Sequence, residues 1–95
     1  ERGAVLVPSF DDPHIIAGQG TAGLEILEQC LEPVRRIVTC CGGGGLAAGL
    51  ALACTGAEVV TAEPEGWDDM ARSLAAGRIE PVGPNPPPTA CDALQ

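Results

Sequence analysis

Lysine and tyrosine do not occur in this 95-residue sequence, and phenylalanine, tryptophan, methionine and histidine occur once each. Without lysine the chain has no side-chain amine to condense with a carbonyl compound, so amine-based covalent catalysis is closed to it alone. The five basic residues are all arginines (Arg2, Arg35, Arg36, Arg72, Arg78) against thirteen acids. The resulting formal charge of −8 argues against nucleic acid or an anionic membrane as partner. No apolar run is long enough to cross a bilayer, and no stretch reads as a signal peptide. The five cysteines (Cys30, Cys40, Cys41, Cys54, Cys91) are odd in number and lack the spacing of a disulfide framework. They read as small buried hydrophobes in a reducing compartment, the cytoplasm.

What is present is Ala, Val, Leu and Ile, with 13 glycines and 9 prolines. Cores of α/β proteins have this composition, because Ala and Gly let helices sit close on a sheet. A chain of this length makes at most one small domain and buries only about 60–65% of its unfolded surface. It enters an apolar run directly after Glu1-Arg2-Gly3 and stops at Gln95 within a helical or turn segment. We therefore expect a piece of a longer protein.

In chain order, Gly3 to Pro8 reads as a buried strand. Asp11 or Asp12 can cap a helical turn from Pro13 to Ala17, with Pro13 at its first position. Gly18-Gln19-Gly20-Thr21 is expected to interrupt it, and Thr21 to Cys30 to form an amphipathic helix with Leu24, Ile26, Leu27 and Cys30 apolar. Arg35 to Cys40 is a second strand. Gly45 to Cys54 is a nearly all-apolar helix, hence expected to be buried on most sides. Ala57 to Ala62 is a third strand and Asp68 to Ala76 a third helix, stopped at Gly77. Residues 79–88 form a Pro-rich extended connector. Thr89 can cap a last helical segment, with Asp92 three residues on. The order β-α-β-α-β-α predicts a three-layer α/β fold on a parallel sheet with right-handed crossovers. Residues 1–78 would be one partial domain, and 79–95 the connector and the start of the next segment.

The centre of this pattern is Arg36 to Gly49, in which a β-branched run feeds Gly42-Gly43-Gly44-Gly45 and then a helix. Consecutive glycines let backbone N–H groups converge on a close-lying ligand. The helix start adds unpaired donors and partial positive charge, which together suit an anion, most often phosphate. Gly42-x-Gly44-x-x-Ala47 also satisfies the dinucleotide fingerprint, with Glu63 placed 21 residues after Gly42 to hold a ribose. Spacing alone leaves three readings of the glycines: the pyrophosphate site of an NAD(P)-type βαβ module, a single-phosphate site, or a tight turn with no ligand. As a function, a non-catalytic anion-binding, metal-binding or interaction domain also stays open.

Four blocks discriminate. Phe10 to Gln29 resembles F-D-D-P-x-V-I-A-G-Q-G-T-x-x-L-E-I-L-E-Q of the pyridoxal-phosphate fold-type II threonine/serine dehydratases and serine racemases. Gly42-Gly43-Gly44-Gly45-Leu46-x-x-Gly49 is similar to their phosphate loop. Ala62-Glu63-Pro64, Asp68-Asp69 and Ser73-Leu74-x-x-Gly77 form the third block. Pro88 to Leu94 resembles P-x-T-I-A-D-G-L, with Ala93 in place of Gly. Together they span nearly the whole chain in order.

The resemblance implies the middle of a chain roughly three times longer: part of the large cofactor domain of a fold-type II enzyme. It implies pyridoxal phosphate held by Gly42, Gly43, Gly44, Gly45 and Leu46. It also implies Mg²⁺ or Ca²⁺ held by the Glu63 and Asp69 carboxylates and the Trp67 carbonyl. The implied reaction is β-elimination from threonine or serine to a 2-oxo acid and ammonia, or serine racemisation, in a homo-oligomer. The family's cofactor-bearing lysine and its residue facing the pyridine nitrogen have no counterpart here, so the chain alone is expected to be inactive and no catalytic residue is assigned. Cys40-Cys41 precede the glycines where relatives have a pair such as Pro-Val. The helix start beside Cys41 would favour a reactive, low-pKa thiol there. Pro8-Ser9 replace the family's His-Pro.

Overall fold

The computed structural model describes residues 2–94. Its elements are α1 (Pro13–Gln29), β1 (Arg36–Cys40), α2 (Gly45–Ala53), β2 (Glu58–Ala62) and α3 (Asp69–Ala76), with a 3-10 turn at Asp92–Leu94. β1 and β2 pair in parallel from Arg36↔Glu58 to Cys40↔Ala62. The Cys41 amide extends the ladder to the Ala62 carbonyl at 3.1 Å. Parallel neighbours need a crossover, and α2 supplies it. Both strands thus end on one edge, where the glycine loop and Glu63 begin.

Gly3 to Pro8 does not form the expected strand. Val5, Leu6 and Val7 are 85, 91 and 67% exposed, and the sheet among the described residues has two strands, not three. A β-branched apolar run has the propensity for a strand but needs a free edge to pair with, and here none takes it up. The molecule is α/β with a two-stranded parallel sheet; the expected three-layer arrangement is not formed among the described residues.

α1 is the second departure, because it runs unbroken through Gly18-Gln19-Gly20-Thr21. Its start follows from the sequence: Asp12 is extended (φ −138°, ψ 130°) and its carboxylate accepts from the amides of His14 at 2.9 Å and Ile15 at 3.1 Å. Such a cap contributes about 1 kcal/mol. What carries the helix across its glycines is contact with α2. A Cβ on Gly49 would stand 2.5 Å from the Gly20 nitrogen and 2.7 Å from the Ile16 oxygen. One on Gly23 would meet Ala53 Cβ and Cys54 Sγ at 2.9 Å. The two backbones touch where neither has a side chain, and close packing offsets the roughly 1 kcal/mol that each glycine costs in a helix.

The buried seam of α1 is therefore Gly20 and Gly23, and Leu24 and Leu27 are exposed. On α2, Gly45, Gly49 and Leu50 are buried, Ala51 and Leu52 are exposed, and the remaining residues are half-buried. The buried apolar side chains are few: Cys41, Leu50 and Cys54. The Cys54 thiol donates to the Gly23 carbonyl at 3.5 Å, which ties the seam together.

After α3, which ends on a left-handed Gly77, the connector folds back along the helix. Arg72 Nη2 donates to the Pro81 carbonyl at 2.8 Å, the Glu80 amide to Ser73 Oγ at 2.9 Å, and the Trp67 indole to the Pro87 carbonyl at 2.8 Å. Thr89 Oγ1 accepts from the Cys91 amide at 3.1 Å and opens a turn rather than a longer helix. The final residue of the expected segment, Gln95, lies outside the described residues.

Candidate anion-binding site

The glycine loop lies at the carboxyl edge of the sheet. Gly42, Gly43 and Gly44 connect β1 to α2, and Gly44 (φ 88°, ψ 0°) occupies the cap position in the left-handed region. Only glycine adopts that conformation without steric cost. The first amide of the region to find a protein acceptor is that of Ala48, on the Gly44 carbonyl at 2.9 Å. Among the described residues, the amides of Gly42 to Ala47 donate to no protein group. Unpaired donors at a helix start are the ordinary requirement of an anion site.

These donors border a cleft of about 280 Å³ lined by Ser9, Phe10, Gln19, Cys40 to Ala47, Ala93 and Leu94. All five residues expected to hold the cofactor, Gly42 to Leu46, share it. No charged side chain lines it, so attraction for an anion comes from peptide dipoles alone. Where a side chain would extend from each glycine the space is already taken: at Gly42 by Ala93 and Leu94, at Gly43 by the Phe10 ring, at Gly44 by Met70 Cε, and at Gly45 by the Ser9 carbonyl and Phe10. Phe10 belongs to the first motif block and Ala93 and Leu94 to the fourth, whereas Met70 belongs to none and reaches the loop by tertiary folding.

Glu63 and Asp69 come to the same edge, yet Glu63 has a definite task. Its Oε1 accepts from the Met70 amide at 2.9 Å and its Oε2 from the Ala71 amide at 3.0 Å, so it caps α3 from seven residues upstream. Asp68, at the cap position, makes no such bond and instead accepts from Arg72 Nε at 3.3 Å. Trp67 N–H bonds the Pro64 carbonyl at 2.9 Å. Among the described residues no group of three or more His, Cys, Asp or Glu side chains could hold a metal ion. A ribose site would need the Glu63 carboxylate, which the α3 amides already engage.

Cys41 is buried beneath the loop, and a low-pKa thiol is not what results. Burial pushes its thiol above the ordinary 9.0, and the charges of Glu63 and Asp69, then Cys40, push the same way. Desolvation and the two neighbouring acids outweigh the α2 dipole.

A family profile described as "Pyridoxal-phosphate dependent enzyme" matches residues 1–95. The chain belongs to this family. It is similar to serine racemase of Arabidopsis thaliana, 45% identical over 83% of this chain and 25% of that protein. L-threonine ammonia-lyase of Thermotoga maritima is 44% identical over 90% of this chain and 22% of its own length. The crystal structure of serine racemase from Dictyostelium discoideum superimposes with a TM-score of 0.81 at 40% identity, over 94% of this chain and 28% of that one. The chain thus spans about a quarter of the length of the curated relatives it matches. No described helix is long and apolar enough to cross a membrane.

Proposed function

We propose that this chain is the phosphate-binding part of a pyridoxal-phosphate-dependent ammonia-lyase acting on threonine or serine. Residues 1–78 would form part of its cofactor domain, with Gly3 to Pro8 a further strand of a larger three-layer sheet, and residues 79–95 its connector. The observation that carries this reading is the run of unbonded amides from Gly42 to Ala47 around a left-handed Gly44, in a chain of this family.

When bound, the cofactor's pyridine ring supplies the electron sink for β-elimination to a 2-oxo acid and ammonia. This chain's part is to hold. The Gly42 to Leu46 backbone grips the phosphate, and the α2 dipole offsets its charge. Gln19 and Ser9, on the cleft wall, offer neutral polar groups beside it. The amine that engages the aldehyde is not among these residues, since the chain has no lysine. We therefore read the chain as inactive by itself.

Equilibrium dialysis against pyridoxal phosphate tests the proposal, with pyridoxal, which lacks the phosphate, as control. Binding of the phosphate ester but not of pyridoxal is expected, and its loss in Gly44→Asp, where the new side chain enters the space of Met70 Cε at a left-handed position and forces the loop to shift. Retention of binding in Gly44→Asp would place the ligand elsewhere.

A cation site of Glu63, Asp69 and the Trp67 carbonyl for Mg²⁺ or Ca²⁺ is a separate proposal. The Glu63 carboxylate reaches the amide of Met70, next to Asp69, which brings the two acids to one loop and supports it; the existing engagement of Glu63 by two amides weighs against it. No step is routed through a metal. A rise in the unfolding temperature with Ca²⁺ or Mg²⁺, absent in Asp69→Asn, is the expected sign of such a site. Self-association, proposed from the exposed Val5, Leu6, Leu74 and Ile79, is measured by light scattering.

A further inference from the structure

Phe10 is the chain's single phenylalanine and is 49% exposed, yet it has a fixed seat. It lies on Gly43 so closely that a methyl group there would overlap ring atoms Cγ, Cδ1 and Cδ2. The ring borders the 280 Å³ cleft and also a second cleft of about 380 Å³, which Asp69, Met70 and Ser73 line on the far side. Phe10, Gly42, Gly43 and Leu94 are the shared wall between them.

Directly after the ring the backbone turns through φ +55° at Asp11, the single described non-glycine residue in the left-handed region. A residue with a Cβ keeps such a conformation when its surroundings dictate it, and such positions cluster at functional sites. Both flanks of Asp11 are fixed here. On one side Asp12 caps α1 and Pro13 starts it; on the other Phe10 sits on the glycine loop. The left-handed turn converts the direction of the chain entering α1 into the direction that lays the ring on Gly43.

We propose that Phe10, aimed by the left-handed turn at Asp11, is a positioning residue for the anion loop. Its ring braces the Gly43 peptide and holds the loop in the shape that leaves its amides free. Four consecutive glycines have more backbone freedom than any other sequence, and a brace on one of them removes disorder before the ligand arrives. The role rests on the phosphate reading above and adds the element that preorganises the site.

The test is NMR on the ¹⁵N-labelled chain, first without ligand and then titrated with pyridoxal phosphate, with unfolding temperatures measured in parallel. Free of ligand, Phe10→Ala should raise picosecond–nanosecond motion at Gly42 to Gly45, while Phe10→Tyr keeps them ordered. In the titration Phe10→Ala should weaken binding on the order of tenfold, and Phe10→Tyr restore it. At the turn, Asp11→Gly accepts the positive φ and should bind as wild type. Asp11→Val, which resists it, should behave as Phe10→Ala. A role for the Asp11 charge would instead make Gly and Val equally damaging, and that result overturns the proposal. So does an equally ordered loop and equal affinity in Phe10→Ala. If the wild-type loop is ordered but its amides ignore pyridoxal phosphate, the phosphate reading itself fails, and the positioning role with it.

Discussion

The residues around the glycine loop are coupled through charge as well as contact. Cys41 is 2% exposed, and its thiol titrates above its ordinary 9.0 because burial, then Glu63 and Asp69, disfavour the thiolate. In the unfolded chain the same thiol ionises at the ordinary value. Its contribution to stability is therefore fully present below pH 9.0 and is lost as pH rises through the folded-state value. Urea unfolding midpoints should fall from pH 9 upward, and less so in Cys41→Ser. Exposed Cys30, Cys40 and Cys91 should alkylate with iodoacetamide well before Cys41 and Cys54, read by peptide mass. Glu63 joins the two effects. Glu63→Gln removes one of the two acceptor oxygens capping α3 and should destabilise by about 1–2 kcal/mol, measured by urea titration. It should also lower the pH at which Cys41 alkylates, because one of the charges raising that pKa is gone.

At the scale of elements the decisive contact is α1 on α2, made by backbone rather than by large side chains. Glycines of the same helix pair should respond with opposite sign to the same substitution. A Cβ on Gly18 meets nothing within 4 Å, so Gly18→Ala should stabilise by about 1 kcal/mol through helix propensity alone. A Cβ on Gly49 would press into the α1 backbone at 2.5 Å, so Gly49→Ala should destabilise by about 1–3 kcal/mol despite the same gain in propensity. Thermal unfolding of the two variants gives the sign directly. This seam also explains why a break was expected in α1: glycine in a sequence reads as flexibility, and only the facing helix shows that it stands for proximity. Conversely, the Val5-Leu6-Val7 run has strand character but, among the described residues, no partner edge. Secondary structure that depends on a neighbour cannot be read from the segment itself.

For the molecule as a whole, charge and site are mismatched in an informative way. The chain carries −8, and no lysine or arginine lines the cleft that would receive a phosphate. Attraction comes from the α2 start at short range, and repulsion from the acidic surface at long range. Salt screens the second far more than the first. The affinity for pyridoxal phosphate should accordingly stay flat or rise between low and high NaCl, by equilibrium dialysis. A tenfold fall would reveal a cationic contact that this cleft lacks.

The sequence by itself determined the local order at the site: a β-branched run, four glycines and an Ala/Leu-rich run read as strand, turn and helix, although the strand also needed β2 to pair with. The order of its motif blocks also pointed to the pyridoxal-phosphate-dependent enzyme family to which the chain belongs. Only the tertiary structure decided what surrounds that loop. It turned Glu63 inward to cap α3, raised the Cys41 thiol instead of lowering it, and laid Phe10 on Gly43 through a left-handed Asp11. The reason is physical. Local conformation follows from propensities of adjacent residues, whereas solvation, charge proximity and the use of a glycine's empty side depend on what the rest of the chain brings near.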